Sequence, residues 1–435
     1  MLTKRRKLVV VGCGKLGAPL IACLANVGHS VVGVDLNKEL IHNLDAGIVT
    51  WNEPGLEELL TTHKENMRFQ STYQGAFESA EASFVIVPTP SVESGEFSNR
   101  FVIDAVTKIG HELSNSLKSH HLVVIVSTVM PGSTQGEIKN ALHSAAGEVS
   151  GLINICYSPE FIALGTVIKN MQFPDMVLIG EEERDSGDLL AEISLSIAKN
   201  KPSVMRLSIS EAEICKIAIN SFVTTKISFS NQISEICENT PGASAQRVLL
   251  AIGADSRIGR SYLSAGTGYG GPCFPRDNRA FHKYASSVGV DADLSMATDA
   301  INVRQGNRIV RIIEEKLTPG SKILVVGLSY KPDTDVIEES PAVVFIENAL
   351  DAGYEVDAVD DHVHKLQTSR EIEIFTSGSL TKSNYSAAIL FVPSANYTQI
   401  PSLMSSETKL IDLWGLWENS QIHDYVRLGD FFDAK

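Results

Sequence analysis

The chain has 435 residues, 37 Lys and Arg against 52 Asp and Glu, a formal net charge of −15 and 43% hydrophobic residues. That length is too great for one core and suits two or three domains, and the acidic balance argues against a nucleic-acid partner, whose phosphates need a basic face. An anionic small molecule stays compatible if a few Lys and Arg are concentrated locally. No apolar run reaches the roughly 18 residues of a membrane span, so no membrane association is expected. Met1 to Lys7 is basic and leads into apolar residues in the manner of a signal peptide, but glycines and Lys15 break the run and no small-residue cleavage site follows, so a cytoplasmic location is expected. The cysteines at 13, 23, 156, 215, 237 and 273 have neither paired nor zinc-type spacing, which suits a reducing compartment and predicts no metal site.

Lys7 to Val11 is a β-branched apolar run that enters Gly12-Cys13-Gly14-Lys15-Leu16-Gly17, followed by a helical pattern through Ala25 and a second strand, Ser30 to Val34, that ends in Asp35. Glycines in this order allow a tight turn at Gly12, close approach of a pyrophosphate at Gly14 and close helix packing at Gly17, with the phosphates at the helix N-terminus. Asp35 would accept a hydrogen bond from a ribose 2′-hydroxyl and repel a 2′-phosphate, and no Arg follows it in Leu36-Asn37, so NAD is preferred to NADP. Ser83 to Val87 and Leu122 to Val126 are further buried-strand runs, ending in Pro88-Thr89-Pro90 and in Ser127-Thr128-Val129-Met130-Pro131-Gly132-Ser133-Thr134. In an open parallel sheet, ligands lie beyond the carboxyl ends of strands, which places Thr89 and Thr128 near cofactor or substrate; plain strand-ending turns would read the same. Asn154 to Tyr157 is a strand ending in Ser158-Pro159-Glu160-Phe161, where Glu160 is at least a carboxylate favoured at a helix start.

Ser210-Glu211-Ala212-Glu213 has a capping-box pattern and opens a helical stretch of about 30 residues that stops at Thr240-Pro241-Gly242. Within it Lys216 and Asn220 are one turn apart and share a face, and Lys216 lies among Ile214, Cys215, Ile217, Ala218 and Ile219, an apolar setting for an ammonium group. Residues 266 to 277 form a loop in which Gly266, Gly268, Gly270 and Gly271 lead into one thiol, Cys273, between Pro272 and Pro275. The glycines would let backbone approach a ligand and the prolines hold the thiol in place. Arg276 would favour thiolate, and Asp277 would lie within reach of whatever the sulfur binds. A glycine-rich turn around an inert cysteine is the plainer alternative. From Lys322 the pattern restarts, with a strand at Ile323 to Gly327, a helix from Pro341 and a strand at Tyr354 to Val359 ending in Asp360, which implies a second Rossmann-like unit without a full glycine fingerprint.

Tyr269-Gly270-Gly271-Pro272-Cys273-Phe274-Pro275-Arg276-Asp277 resembles the active-site loop of nucleotide-sugar 6-dehydrogenases, the UDP-glucose and GDP-mannose dehydrogenase family, in which the cysteine forms a thioester with substrate. The likeness extends over nearly the whole chain. It includes Glu53-Pro54-Gly55-Leu56, the Thr-Pro and Ser-Thr-Val-x-Pro-Gly turns, Lys216-x-x-x-Asn220, Arg257-Ile258-Gly259 and Gly327-Leu328-Ser329-Tyr330-Lys331-Pro332, and the Phe-Pro after Cys273 leans towards the UDP-glucose branch. The resemblance implies an α/β chain of two Rossmann-like, doubly wound domains joined by a long central helix and a helical middle domain. Residues 1–205 would bind NAD, 206–318 would dimerise and carry the cysteine, and 319–435 would bind the nucleotide sugar. It further implies that Glu160 lies near the thioester and aids its hydrolysis, that Lys216 and Asn220 are catalytic, that Arg257 reaches the nucleotide sugar of a neighbouring subunit in a homodimer, and that Lys331 approaches the diphosphate. Tyr262 to Gly266 would line the sugar pocket with backbone, Phe161, Leu164 and Gly270 would contact substrate, and Arg276 would contact cofactor. Leu164, Asn170, Met176 and Glu338 depart from the family, which has a Glu, an Asp, an Arg and an Arg there.

Oxidising a primary alcohol to a carboxylate removes four electrons, so a two-electron acceptor must serve twice with an aldehyde between. An aldehyde donates hydride only after something adds to its carbonyl, and a thiolate does so by forming a thiohemiacetal. The chemistry implied is thus capture by Cys273, a second hydride transfer and hydrolysis, with Lys216 and Asn220 on the oxyanion and with Asp277, Glu160 and Thr128 on water and protons. The alternatives left open are a UDP-N-acetylhexosamine or GDP-mannose substrate, a single-oxidation hydroxyacid dehydrogenase, and a non-catalytic binding homologue.

Overall fold

Near-continuous apolar runs spaced by helical segments give two sheets whose central strands are covered on both faces. The computed structural model describes residues 4–117, 119–418 and 424–430, and the chain divides into two compact units, 1–218 and 219–435. The first unit contains β1 (Lys7–Val11), β2 (Ser30–Val34), β3 (Met67–Gln70), β4 (Ala82–Val85), β5 (His121–Ile125), β6 (Ile153–Tyr157), β7 (Met176–Glu181) and β8 (Ser203–Leu207), ordered β3-β2-β1-β4-β5-β6-β7-β8. Leu8 and Val10 of β1 enter one apolar cluster and Val9 and Val11 the other. That split is what a period of two does to a strand with helices on both sides.

The first six strands are parallel, whereas β7 runs antiparallel to β6 and parallel to β8. Apolar runs read alike in either chain direction, so the sequence pattern carried no sign of the reversal. β4 and β5 end at Val85 and Ile125, one or two residues short of their apolar runs. Ser127 accounts for this in β4, because its Oγ accepts from the Val87 N–H at 2.9 Å and donates to the Val87 carbonyl at 2.7 Å, replacing ladder partners.

The second unit carries β9 (Lys322–Val326), β10 (Glu355–Val359), β11 (Ile374–Phe375), β12 (Ala387–Leu390), β13 (Lys409–Asp412) and β14 (Tyr425–Arg427), all parallel in the order β11-β10-β9-β12-β13-β14. This is the two-halves strand order of a dinucleotide-type fold. Its helix Pro341–Asp351 begins with proline at the first position, where the missing N–H costs nothing. Ahead of the sheet come the helices Ala245–Ala254, Phe274–Ser287 and Asp293–Glu314.

One helix, Ile209–Glu238, spans 30 residues, about 45 Å at 1.5 Å each. Its capping box is Ser208 with Glu211, two residues earlier than expected: Glu211 Oε2 accepts from the Ser208 N–H at 2.8 Å and from Ser208 Oγ at 2.7 Å. Two Ser-x-x-Glu patterns overlap here, and Glu213, fully buried, is committed elsewhere. Past Asn220 the helix is inverted. Ser221, Thr224, Ser228, Asn231 and Ser234 are buried, while Phe222, Phe229 and Ile236, seven residues apart, are 64%, 42% and 55% exposed. Among the described residues no helix is long and apolar enough to cross a membrane.

Candidate active site

The glycine-rich turn after β1 assigns each glycine a separate task. Gly12 has φ +95°, and a Cβ there would lie 2.0 Å from the Ile86 carbonyl oxygen; one on Gly17 would lie 1.8 Å from that of Gly12. A Cβ on Gly14 would meet nothing within 4 Å. Gly12 and Gly17 therefore serve chain packing, and Gly14 leaves room beside the start of helix Gly17–Asn26 for a ligand's phosphates. Asp35, at the carboxyl end of β2, accepts from the Cys13 N–H at 2.8 Å through Oδ2 and from the Asn37 N–H at 2.9 Å through Oδ1. Each oxygen keeps a second lone pair for a ribose hydroxyl. These residues fit a dinucleotide.

At the ends of β4 and β5, Thr89 is buried and its Oγ1 donates to the Thr128 carbonyl at 2.7 Å, so the two threonines form one structural step. The following turn is held from the long helix: Glu213 accepts from the Gly132 N–H at 2.6 Å and the Thr134 N–H at 2.9 Å. Burial pushes the Glu213 carboxyl up, and these hydrogen bonds partly offset the push. One turn further along, Lys216 is buried, donates from Nζ to the Glu160 carbonyl at 2.8 Å and sits 4.6 Å from the Phe161 ring centroid. Desolvation raises the Glu160 carboxyl to about 7, although the Lys216 charge pulls the other way. The ammonium is thus fixed by a backbone oxygen and an aromatic face, and a carboxyl poised near neutrality lies beside it.

In the second unit, Cys273 is exposed and stands at the N-cap of helix Phe274–Ser287, with Pro275 in its first turn. A helix N-terminus favours thiolate. Asp277, 1% exposed, has its N–H bonded to the Cys273 carbonyl at 2.8 Å, and its Oδ2 accepts from Asn220 Nδ2 at 2.6 Å. Arg276 directs Nε to Asp277 Oδ1 at 3.3 Å, so part of its charge is spent on that carboxylate. The glycines of the loop abut protein: a Cβ at Gly266 would lie 2.6 Å from the Trp414 ring, at Gly268 2.5 Å from Asn302, at Gly270 2.2 Å from the Glu339 carbonyl and at Gly271 2.5 Å from the Tyr330 ring. The close approach inferred from these glycines is, in the described contacts, to the protein's own walls.

Three sequence profiles of one family cover most of the chain: the NAD binding domain of the UDP-glucose/GDP-mannose dehydrogenase family at residues 6–197, its central domain at 210–304 and its UDP binding domain at 324–419. The chain belongs to the UDP-glucose/GDP-mannose dehydrogenase family. UDP-glucose 6-dehydrogenase AglM of Haloferax volcanii is 34% identical over 391 residues, 88% of this chain and 90% of the relative. GDP-mannose 6-dehydrogenase of Pseudomonas putida is 30% identical over 362 residues, 82% of this chain and 81% of the relative. A UDP-glucose dehydrogenase structure from Pyrobaculum islandicum superposes with a TM-score of 0.87 at 28% identity, covering 99% of both chains. The protein is an NAD-dependent nucleotide-sugar 6-dehydrogenase, as the family membership and these curated relatives establish.

The remaining family positions fall as follows. Arg257 is exposed and paired with Asp255, its Nη2 2.7 Å from Oδ2. Tyr262 has φ +62°, a strained conformation for a ring-bearing residue, and its ring meets that of Phe274 at 6.2 Å between centroids. Lys331 Nζ lies 5.9 Å from the Tyr330 ring centroid. Leu164, where the family resemblance leads one to expect Glu, packs against the apolar cluster that includes Leu8 and Val10. Asn170 Oδ1 accepts from the Ala163 N–H at 3.0 Å and from Thr166 Oγ1 at 3.2 Å, tying the loop that follows Glu160. Glu53 of the family's Glu-Pro-Gly segment accepts from the Ile168 N–H at 3.0 Å and so caps helix Val167–Gln172. Glu338 gives its carbonyl to the Gly271 N–H at 2.9 Å.

Sequence reasoning missed a second tier of residues. Asn231, Asn302 and Gln305 bond the backbone of 266–269, and Asp299 takes the Tyr269 phenol. The spacing of Asp299, Asn302 and Gln305, three residues apart on one helix, is the signal that could have revealed them. Among the described residues no group of three or more His, Cys, Asp or Glu could hold a metal ion.

Proposed function

We propose that this dehydrogenase carries out the four-electron oxidation of UDP-glucose at C6 to UDP-glucuronate through a covalent Cys273 adduct. The observation that carries the reading is the exposed Cys273 thiol at a helix N-cap, in a loop walled by protein and next to the Asn220–Asp277 hydrogen bond. NAD, when bound, supplies the two-electron hydride acceptor, one molecule for each of the two oxidations. After the first oxidation the Cys273 sulfur adds to the aldehyde carbon, forming a C–S bond and an oxyanion. Departure of hydride gives the thioester. Water then attacks the carbonyl, the C–S bond breaks, and carboxylate and thiolate are released. Lys216 and Asn220 orient and stabilise the oxyanion, Asp277 and Thr128 hold water or move protons, and Glu160 takes the proton from the attacking water. Gly14, Asp35, Thr89, Thr128 and Arg276 serve the cofactor, on a turn that Gly12 and Gly17 shape by close packing, and Phe161, Leu164, Arg257, Tyr262, Gly266, Gly270 and Lys331 serve the nucleotide sugar.

The chain is taken to work as a cytoplasmic homodimer divided at 1–205, 206–318 and 319–435. The exposed stripe of Phe222, Phe229 and Ile236 supports the dimer, since a 30-residue helix seldom leaves such side chains in water. UDP-glucose is favoured by Phe274-Pro275 after the cysteine and by the relatives' names. With UDP-glucose, UDP-N-acetylglucosamine, UDP-N-acetylmannosamine and GDP-mannose offered separately, UDP-glucose is expected to give the highest kcat/KM and two NADH per sugar. One NADH per sugar would refute the thioester route, and a preference for another sugar would refute the substrate assignment.

Glu160 sets the expected pH dependence. A carboxyl near 7 is protonated below that pH and cannot take a proton from water, so turnover rises as pH climbs through about 7 and then levels. Glu160→Gln is expected to lose that limb and to lower the plateau roughly 10²-fold or more. A limb that survives the substitution would assign the titration to another group. The sign for stability is opposite: the folded value lies above the ordinary 4.5, so stability present below that value is lost as pH rises to about 7.

A further inference from the structure

We propose that Asp299 is a positioning residue for Cys273, acting through Tyr269 and Asn278; the inference rests on the thiol chemistry proposed above. Four glycines upstream of a nucleophile leave a chain with little stiffness of its own, so its geometry must be imposed from outside. The described contacts show how. Gly266 donates its N–H to Asn231 Oδ1 at 3.0 Å, and its carbonyl accepts from Gln305 Nε2 at 2.6 Å. Tyr269 is clasped at both backbone groups by Asn302, whose Oδ1 accepts from the N–H at 2.8 Å and whose Nδ2 donates to the carbonyl at 3.0 Å.

Asp299 adds something these amides do not. Its Oδ1 accepts from the Tyr269 phenol and, at 3.0 Å, from Asn278 Nδ2. Tyr269 lies four residues before Cys273 and Asn278 five after it, so one carboxylate oxygen closes a bracket around the thiol. Both brackets are buried, Tyr269 at 6% and Asn278 at 0% exposure. Burial, the hydrogen bond to Asp299 and its negative charge push the Tyr269 phenol above its ordinary range, so it stays a donor at working pH. Asn278 continues the connection: its Oδ1 accepts from Ser221 Oγ at 2.8 Å, and the residues preceding each of these two, Asp277 and Asn220, bond one another at 2.6 Å. Asp299 thereby fixes the start of helix Phe274–Ser287 against both the glycine loop and the helix that carries Asn220. Its described hydrogen-bond partners are Tyr269 and Asn278, so it acts on the thiol through them.

The test uses the full-length enzyme and two conservative variants, Tyr269→Phe, which removes only the phenol oxygen, and Asp299→Asn, which removes the charge. Each is expected to lower kcat 10- to 100-fold, the scale of a small misplacement of a reacting atom, with KM for the nucleotide sugar within about twofold of wild type. In the same preparations, iodoacetamide labelling of Cys273 at pH 7, read by peptide mass, is expected to slow at least about fivefold, because thiolate at the helix end loses its alignment. A purely structural role would lower the melting temperature while leaving labelling and kcat at wild-type values well below that temperature, and that result would overturn the inference. If one variant fails to fold, the other decides. Failure of the underlying reading is seen separately, as wild-type enzyme that keeps full activity after Cys273 is fully labelled.

Discussion

Cys273→Ser is expected to abolish net formation of the sugar acid, lowering the rate roughly 10³-fold or more, while leaving the fold intact. The asymmetry follows from what serine can and cannot do at this position. A serine hydroxyl in water ionises far above neutrality, so it presents far less of its nucleophilic form near pH 7 than a thiol does. Without an adduct the aldehyde has no electron-rich carbon from which hydride can leave, so the reaction halts after one NADH. As a helix N-cap, however, serine is among the preferred residues, and the thiol it replaces is exposed, so stability should hold or rise slightly. Assaying NADH by absorbance together with uronate by mass spectrometry separates the two oxidations. Wild-type yields of uronate from the variant would end the covalent mechanism.

Lys216→Met should cost about 10² to 10³ in kcat, equivalent to roughly 3 to 4 kcal/mol, which is the scale of losing one preorganised donor to an oxyanion. Methionine keeps the length and apolar body of the side chain, and the setting of Lys216 suits it: the ammonium sits over the Phe161 ring and only its tip is polar. What is lost is the charge and the hydrogen bond to the Glu160 carbonyl at 2.8 Å. The second loss sets a limit on stability, about 1 to 3 kcal/mol for a buried acceptor left unpaired, and a melting curve measures it independently of rate. If Lys216→Met keeps kcat within threefold of wild type, the lysine is structural and the oxyanion must be stabilised by other groups.

The outline of the fold was legible because its signals are local. Lys7–Val11, Ser30–Val34 and the Pro341 helix start were read at their observed limits, since each is a buried apolar run or a proline with a fixed backbone preference. The sense of β7 was not legible, and neither was the choice between two overlapping Ser-x-x-Glu boxes, because both depend on which face the rest of the unit buries. The site divides in the same way. Cys273, Lys216 and Asn220 stand out as reactive groups in unusual settings, whereas Asp299, Asn302, Gln305 and Glu213 are common polar residues on helices whose importance comes from partners, a phenol or backbone groups, that they meet 30 to 81 residues away in sequence. Periodicity cannot register a partner at that distance.

The walls behind the glycine loop have a practical consequence for anyone wishing to redirect the enzyme to another sugar. Positions 266, 268, 270 and 271 look, from their small size, like open ground for mutagenesis, yet each has aromatic, amide or carbonyl atoms within 2.6 Å of where even one methyl group would go. A combinatorial library there would return mostly misfolded clones. Productive diversity must be sought on side chains that already project from the loop's flanks, with these four codons held constant.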